Sequence, residues 1–419
     1  MFPFDEGTVP DLVDGNALGL TGDPGPGRAI GPERPTRSGR HLRRGRRGST
    51  AWRAMTTAAT FTLLLVLVAA GLAGYAYEKF NGQITRIAVL QTGDPNIRNA
   101  ARQQHAENFL VIGSDTRAGA NAAFGNVAGA RSDTTMLVHL SPDRSKATVI
   151  SIPRDSWVDI PACKAADGSV ITAHPDMFNS AFQVGGPACT IATVQKLTGI
   201  GVTHFVELDF SGFEAMVSAL GSVTVCSPQS VSDPGSGLTL HVGDNPLNGV
   251  QALAYVRARE TLGDGSDLGR IRRQQMFLGA VLRQAMSGSM LSNPARLTDF
   301  LDAATKAITV DKGTTFGDLR SLASSLRGLD PKRVTFYTAP IADANYTPPG
   351  TTMTGRVLLD AVQGRALYDS VINDATPVTV TGSGPSAKVT GPSPSARPSG
   401  SVAATPKAAL NAGQNSCSL

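Results

Sequence analysis

Between Ala54 and Tyr77 runs AMTTAATFTLLLVLVAAGLAGYAY, a stretch with no charged side chain. Its length is close to the roughly 20 residues that cross a hydrocarbon core, so it reads as one transmembrane helix. It starts too far from Met1, and is too long, for an ordinary cleaved leader; cleavage after the small residues of AAGLAG is the alternative. Arg37, Arg40, Arg43, Arg44, Arg46 and Arg47 precede the run, whereas only Lys79 and Arg86 follow it closely. That asymmetry places residues 1–53 in the cytoplasm and everything from Glu78 onward outside.

This topology divides the rest of the chain. Of its 419 residues, 45 are Gly and 26 Pro, concentrated near the two ends. Residues 1–53 therefore read as a disordered Gly/Pro/Arg-rich tail and 376–419 as a disordered Ser/Pro-rich one. Residues 78–106 are mostly polar and read as a stalk, leaving 107–375 as the folded external domain. The formal charge is +5, from 38 Lys+Arg against 33 Asp+Glu, with a visible cluster at Arg40–Arg47. Standing directly before an apolar span, that cluster is a topology signal, and nothing else in the charge balance calls for nucleic acid.

The four cysteines, Cys163, Cys189, Cys226 and Cys417, form no CxxC pair and lack the His spacing of a zinc site. On an oxidising side, Cys163 and Cys189 would close a polar, Gly- and Pro-rich loop as a disulfide; two unrelated free thiols are the alternative. Cys226 and Cys417 have no assigned partner.

Within the external part, NFLVIGSD, TTMLVHLS, ATVISIPRD, THFVELD and RVTFYTAP are short apolar runs with the pattern of buried strands. Helical periodicity marks IATVQKLTG, FSGFEAMVSALG, DLGRIRRQQMFLGAVLRQAM and RVLLDAVQGRALYDSVI. Strands alternating with helices predict an α/β sandwich.

Charges stand where such strands end. Asp115 follows NFLVIGS, Arg131 and Asp133 precede TTMLV, Arg154 and Asp155 follow VISIP, Asp209 follows FVEL, and Arg257 and Arg259 follow ALAYV. A charge beside a core is costly unless it is paired or bound to a ligand. In open α/β sheets, ligands collect at strand ends, and Arg suits bidentate recognition of phosphate oxygens. Arg270 and Arg273 lie one helical turn apart and share a face. Aspartates among these arginines make sense as Mg²⁺ ligands, because that ion binds through one or two carboxylates and shares its ligand's phosphate oxygens. The alternative is a set of structural ion pairs on the domain rim. The six His are scattered and no G-x-S-x-G occurs, so nothing suggests a Ser/His/Asp triad.

GSDTR (Gly113 to Arg117), RSDTTML, SIPRDSWV, FNSAFQVGG, LDFSGF, ALAYVRAR and DLGRIRRQQ stand in the order and spacing of the LytR-CpsA-Psr family, which this chain resembles over roughly residues 107–345. The resemblance implies a membrane-anchored α/β domain with a mixed central sheet covered by helices. It also implies Mg²⁺-dependent transfer of a glycan phosphate from an undecaprenyl-pyrophosphate carrier to peptidoglycan. By the same resemblance Asp115 and Asp133 are the metal-linked aspartates, and Arg131, Arg154, Arg257 and Arg259 the pyrophosphate-binding arginines. Arg270, Arg273 and Gln274 complete the head-group site, while Asp155 and Asp209 support Arg154 and its loop. Asn179 matches an asparagine of the family's K-I-N run, but Met177 stands where that run has lysine. The lipid tail implies an apolar tunnel, for which the apolar faces of FSGFEAMVSAL and MFLGAVLRQAM are suitable walls.

In the reaction this implies, a peptidoglycan hydroxyl attacks the glycan-proximal phosphate and undecaprenyl phosphate leaves, with Asp115 the first choice to accept the proton. Asp115, Arg131, Asp133 and Arg154 are the expected catalytic set. A transcriptional regulator is disfavoured, because the domain lies outside and the cytoplasmic piece has no helix-turn-helix pattern. A non-catalytic polyprenyl-phosphate or wall-binding module is the runner-up. High Ala, Gly and Arg usage suggests an actinobacterial source, with arabinogalactan, a teichoic acid or another capsule-like polymer as the glycan.

Overall fold

The computed structural model describes residues 48–91, 93–114, 132–165, 168–258, 266–287, 292–377, 409–414 and 417. The chain divides into two compact units, Met1–Val66 and Leu67–Leu419. Helix α1 (Gly48–Gln83) contains the whole uncharged run, and its 36 residues measure roughly 54 Å. The hydroxyls of Thr56, Thr57, Thr60 and Thr62 each donate to a carbonyl three or four residues back, so they are satisfied without water. Trp52, Phe61 and Leu64 are exposed, and Trp52–Gln83 is long and apolar enough to cross a membrane.

The second unit is built on an eight-stranded mixed sheet. Its strands are β1 (Thr85–Ile87), β2 (Glu107–Ser114), β3 (Ser132–Leu140), β4 (Ala147–Ile152), β5 (His204–Asp209), β6 (Ile308–Asp311), β7 (Val334–Thr338) and β8 (Leu410–Asn411). They lie in the order β1-β6-β5-β2-β3-β4-β7-β8. Alternation along the strands sends Leu110, Ile112, Leu137, Ile150 and Phe205 to one face. There they pack on α2 (Ser180–Thr198) and α8 (Ala361–Ile372) through Val194, Leu367 and Tyr368. Met136, Val149 and Phe336 point the other way, toward Met276, Leu278 and Leu282 of α5 (Asp267–Ala285). A third cluster joins α3 (Phe210–Ala219), α4 (Gly249–Arg257) and α5 to the hairpin Val223–Ser227/Gly243–Leu247. The two apolar helix faces expected to wall a tunnel meet here: Val217 and Leu220 share a packed core with Phe277 and Ala280.

Strand directions gather the functional ends. β2 runs parallel to β5, with Ser114 opposite Asp209. β3 runs antiparallel to both β2 and β4, so its start lies beside their ends. β7 is parallel to β4 and places Thr338 opposite Ser151. One edge of the sheet therefore collects Ser114, Ser132, Ile152, Asp209 and Thr338.

Three expectations need correction. Residues 78–106 are no stalk. Phe80 and Ile84 are buried against Val310 and Phe316, β1 pairs with β6, and Arg98 bonds both Asp369 and the Thr198 carbonyl. The polar composition of this stretch is met by partners within the domain. The second concerns the C-terminal tail, where residues 409–414 carry β8 and Cys417 forms a disulfide with Cys226; residues 378–408 of that tail, and the N-terminal tail 1–47, lie outside the described residues. Third, the periodic run at Arg356 begins as a strand, Arg356–Leu359, and becomes helical only after Asp360, whose carboxylate accepts from the amides of Val362 and Gln363. The domain also contains helices α6 (Pro294–Ala307) and α7 (Phe316–Arg327). Cys163 and Cys189 are joined in a disulfide, tying Cys163 to α2.

Candidate active site

The loop after β4 carries Arg154 and is pinned by three backbone hydrogen bonds from two segments. Asn179 donates its amide to the Arg154 carbonyl at 3.0 Å, Phe178 to that of Ser156 at 2.8 Å, and Val357 to that of Asp155 at 3.0 Å. So held, Arg154 meets three carboxylates: Nη1 donates to Asp133 at 2.8 Å, and Nε lies 3.4 Å from both Asp155 and Asp267. Burial works against its charge, but Asp155, Asp267 and Asp133 more than offset that and hold the guanidinium above its ordinary range.

Asp267 opens α5, where Ser266 caps the helix by accepting from the Gly269 amide at 3.0 Å. Its carboxylate bonds Arg270 one turn later, so one aspartate touches arginines from two elements. Arg270 and Arg273 are both buried, at 4% and 6% exposure, which makes them part of the wall under the site. Arg273 donates to the Ala258 carbonyl at 2.5 Å and so fixes the segment leading to Arg259. Arg257 is exposed at the end of α4, its guanidinium 4.8 Å from the centre of the Phe210 ring.

Several expected residues take other places. Asp209 is the cap of α3, accepting from the Gly212 amide at 2.7 Å and from Ser211 at 3.0 Å. Asn179 acts through its backbone, with no side-chain cap to α2. Gln274 comes only within 3.5 Å of the Val256 carbonyl, whereas its neighbour Gln275 is buried and donates to Ser151 at 2.9 Å and to the Tyr337 carbonyl at 3.0 Å. Asp115, Arg131 and Arg259 lie outside the described residues; Ser114 and Ser132, which adjoin the first two, are paired across β2 and β3.

The structure adds two residues. Asp267 stood in the DLGR motif without an assigned role, and its signal was an acid three residues before an arginine at a helix start. Glu207, an acid inside the apolar run THFVELD, is half-buried and hydrogen-bonded to Ser114. Burial pushes its carboxyl up; the bond from Ser114 opposes this and the charge of Asp209 adds to it.

Among the described contacts three carboxylates meet Arg154, and one of them, Asp267, also meets Arg270. The donors of that trio are hard carboxylate oxygens, of the kind Mg²⁺ takes rather than the kind a thiolate- or imidazole-seeking metal takes. Among the described residues no group of three or more His, Cys, Asp or Glu is placed to hold a metal ion.

A family model described as LytR_cpsA_psr matches residues 76–363. The chain belongs to that family. Among its relatives are a cell wall biosynthesis protein LcpA of Corynebacterium glutamicum, 31% identical over 68% of this chain and 60% of its own length. Another is a polyisoprenyl-teichoic acid–peptidoglycan teichoic acid transferase TagU of Oceanobacillus iheyensis, 31% identical over 49% of this chain and 59% of its own. This chain thus spans about three fifths of the length of these curated relatives. A solved LytR-Csp2A-Psr enzyme from Actinomyces oris shares the fold, with a TM-score of 0.50 and 24% identity over 70% of this chain and 97% of its own.

Proposed function

We propose that this LytR-CpsA-Psr protein is a membrane-anchored phosphotransferase that moves a glycan phosphate from a polyprenyl-pyrophosphate carrier to a hydroxyl of peptidoglycan. The observation that carries the reading is the convergence of Asp133, Asp155 and Asp267 on Arg154 at the sheet end where β2, β4, β5 and β7 finish and β3 begins. The transferase names of relatives such as TagU support the same class of reaction. The candidate span in α1 and the Arg-rich flank before it support an extracytoplasmic domain facing lipid-linked donor and wall acceptor.

The acceptor hydroxyl oxygen forms a bond to the glycan-proximal phosphorus as the bond to the bridging oxygen breaks, and polyprenyl phosphate leaves with that oxygen. Little covalent chemistry is required of the protein, so catalysis rests on position and charge. Arg154 presents a fork to the pyrophosphate from a loop pinned at three points, while Asp155 and Asp267 hold the fork's angle. Arg257, at the end of α4, binds the phosphates beside the buried Arg270 and Arg273, and Arg259 is assigned the same role from its place in the sequence. Asp115 takes the hydroxyl proton. Asp133, with Asp115, would hold Mg²⁺, which when bound neutralises charge on the pyrophosphate.

The test is the full chain in lipid nanodiscs, given a polyprenyl-pyrophosphate glycan and peptidoglycan oligomers. The expected result is a phosphodiester-linked glycan on the acceptor with stoichiometric polyprenyl phosphate, both dependent on Mg²⁺. Tight donor binding without either product would replace the transferase reading with a binding module.

A further inference from the structure

We infer that the C-terminal segment, residues 409–414 with Cys417, is a positioning element for helix α5 and through it for the arginines of the site. The link to the arginines' work rests on the catalytic reading above; the structural claim does not. Leu410 and Asn411 add β8 antiparallel to β7, with Leu410 opposite Phe336, and the Ala412 amide donates to the Val334 carbonyl at 2.9 Å. Leu410 and Ala412 are buried, at 6% and 1% exposure, in the core that holds Met276, Leu278 and Leu282 of α5.

The same residues are gripped from the helix side. Arg283 donates to the carbonyls of Ala412 and Gln414, the latter at 3.1 Å. A methyl group on Gly279 would come within 3.2 Å of the Ala412 Cα, so α5 lies on this segment at a distance that only glycine allows comfortably. Beyond it, Cys417 is bonded to Cys226 in the strand Val223–Ser227, which also packs on α5. The segment is thus wedged between β7 and the third to fifth turns of α5 and sealed to a strand beside that helix.

The site residues Asp267, Arg270 and Arg273 occupy the first two turns of α5. An α-helix moves as a rod over this length, so the seat of its second half sets the tilt of its first half. The 3.4 Å approach of Asp267 to Arg154 depends on that tilt, and a misplacement of about 1 Å can cost on the order of 100-fold in rate.

Three forms of the full chain in nanodiscs test this: wild type, a chain ending at Ala408, and Gly279→Leu, which keeps the segment but pushes it off the helix. Two readouts are taken, amide exchange over residues 267–275 and the donor kcat/KM split. Exchange there should rise about tenfold in both altered chains, and the donor KM should rise about tenfold in Gly279→Leu with its thermal midpoint near wild type. A synthetic peptide of residues 409–419 should restore protection and KM to the shortened chain. Wild-type exchange over 267–275 in Gly279→Leu, or in a folded shortened chain, overturns the inference. If the shortened chain does not fold, Gly279→Leu decides alone. Absence of turnover in wild type would sink the catalytic reading, while the exchange data would still decide this one.

Discussion

The two ends of the central sheet are both ringed with charge, and they use it differently. At the end where β2 begins and β3 stops, cations and acids mostly pair one to one: Arg144 with Glu107, Arg98 with Asp369, and Lys146 with Asp374 at 3.3 Å. His139 donates from Nδ1 to Asn108 at 2.7 Å and faces Asp374 at 3.7 Å across a small cavity. At the other end three carboxylates share one guanidinium, and two further arginines are buried behind them. Pairs of the first kind tie loops to the sheet and contribute little each. The second arrangement gathers charge in a half-buried place, a pattern that ligand sites and structural ion-pair networks share and that the variants below separate.

The largest difference should come from removing one cation at each end. Arg154→Ala leaves Asp133, Asp155 and Asp267 without their shared partner and the pyrophosphate without its fork; turnover should fall by about 100-fold or more. Lys146→Met removes a cation from a rim pair and should keep turnover within about twofold, with a stability loss of about 1 kcal/mol or less. Steady-state kinetics and melting curves of both variants read this directly. Similar turnover losses in the two would erase the distinction between the ends.

Acid titration separates the ends more finely. Burial lowers the pKa of His139, against the pull of Asp374. The unfolded chain therefore takes up that proton first as pH drops below about 6.5, and stability is lost from there toward the folded pKa. His139→Gln should flatten the melting temperature across that window and leave turnover at neutral pH unchanged. A wild-type pH profile of stability in the variant would show that His139 carries none of the acid sensitivity.

A smaller effect of opposite sign is expected at Glu207. Its folded pKa is raised, so the folded state keeps the proton to higher pH than the unfolded chain does. The stabilisation is full below the ordinary glutamate pKa of about 4.3 and is lost as pH rises through the folded value. Glu207→Gln should gain stability relative to wild type on going from pH 4 to pH 7. A melting-temperature difference that does not change with pH would mean that the carboxyl carries no such penalty.

What could be read in the sequence tracks how local the signal was. The strands at Glu107–Ser114, Ser132–Leu140 and Ala147–Ile152 announce themselves by short apolar runs, and the acids and arginines at their ends follow from sequence position alone. The role of Asp267 needs α5 laid against the end of β4, a contact between residues more than a hundred apart, so no local pattern exposes it. Asp209 next to FSGF fits a helix cap as well as a site, and the capping bond from the Gly212 amide is visible only in the structure. The missed domain entry at 78–106 and the missed strand β8 share one cause. Both are mostly polar segments with few apolar residues, such as Phe80 and Leu410, and their partners lie far along the chain: Phe80 packs near Phe316, and Cys417 bonds Cys226 across 191 residues.

The central claim is that the crowded end of the sheet binds a pyrophosphate with its metal. Calorimetric titration of inorganic pyrophosphate into the nanodisc-held chain, with and without Mg²⁺, tests it without any lipid or glycan. Binding should appear with Mg²⁺, weaken at least tenfold without it, and weaken by a similar or larger factor in Arg154→Ala and Asp133→Asn while Lys146→Met matches wild type. Equal affinity in all four folded proteins, or no binding by the wild type with Mg²⁺ present, would contradict the account and return the cluster to the class of structural ion pairs.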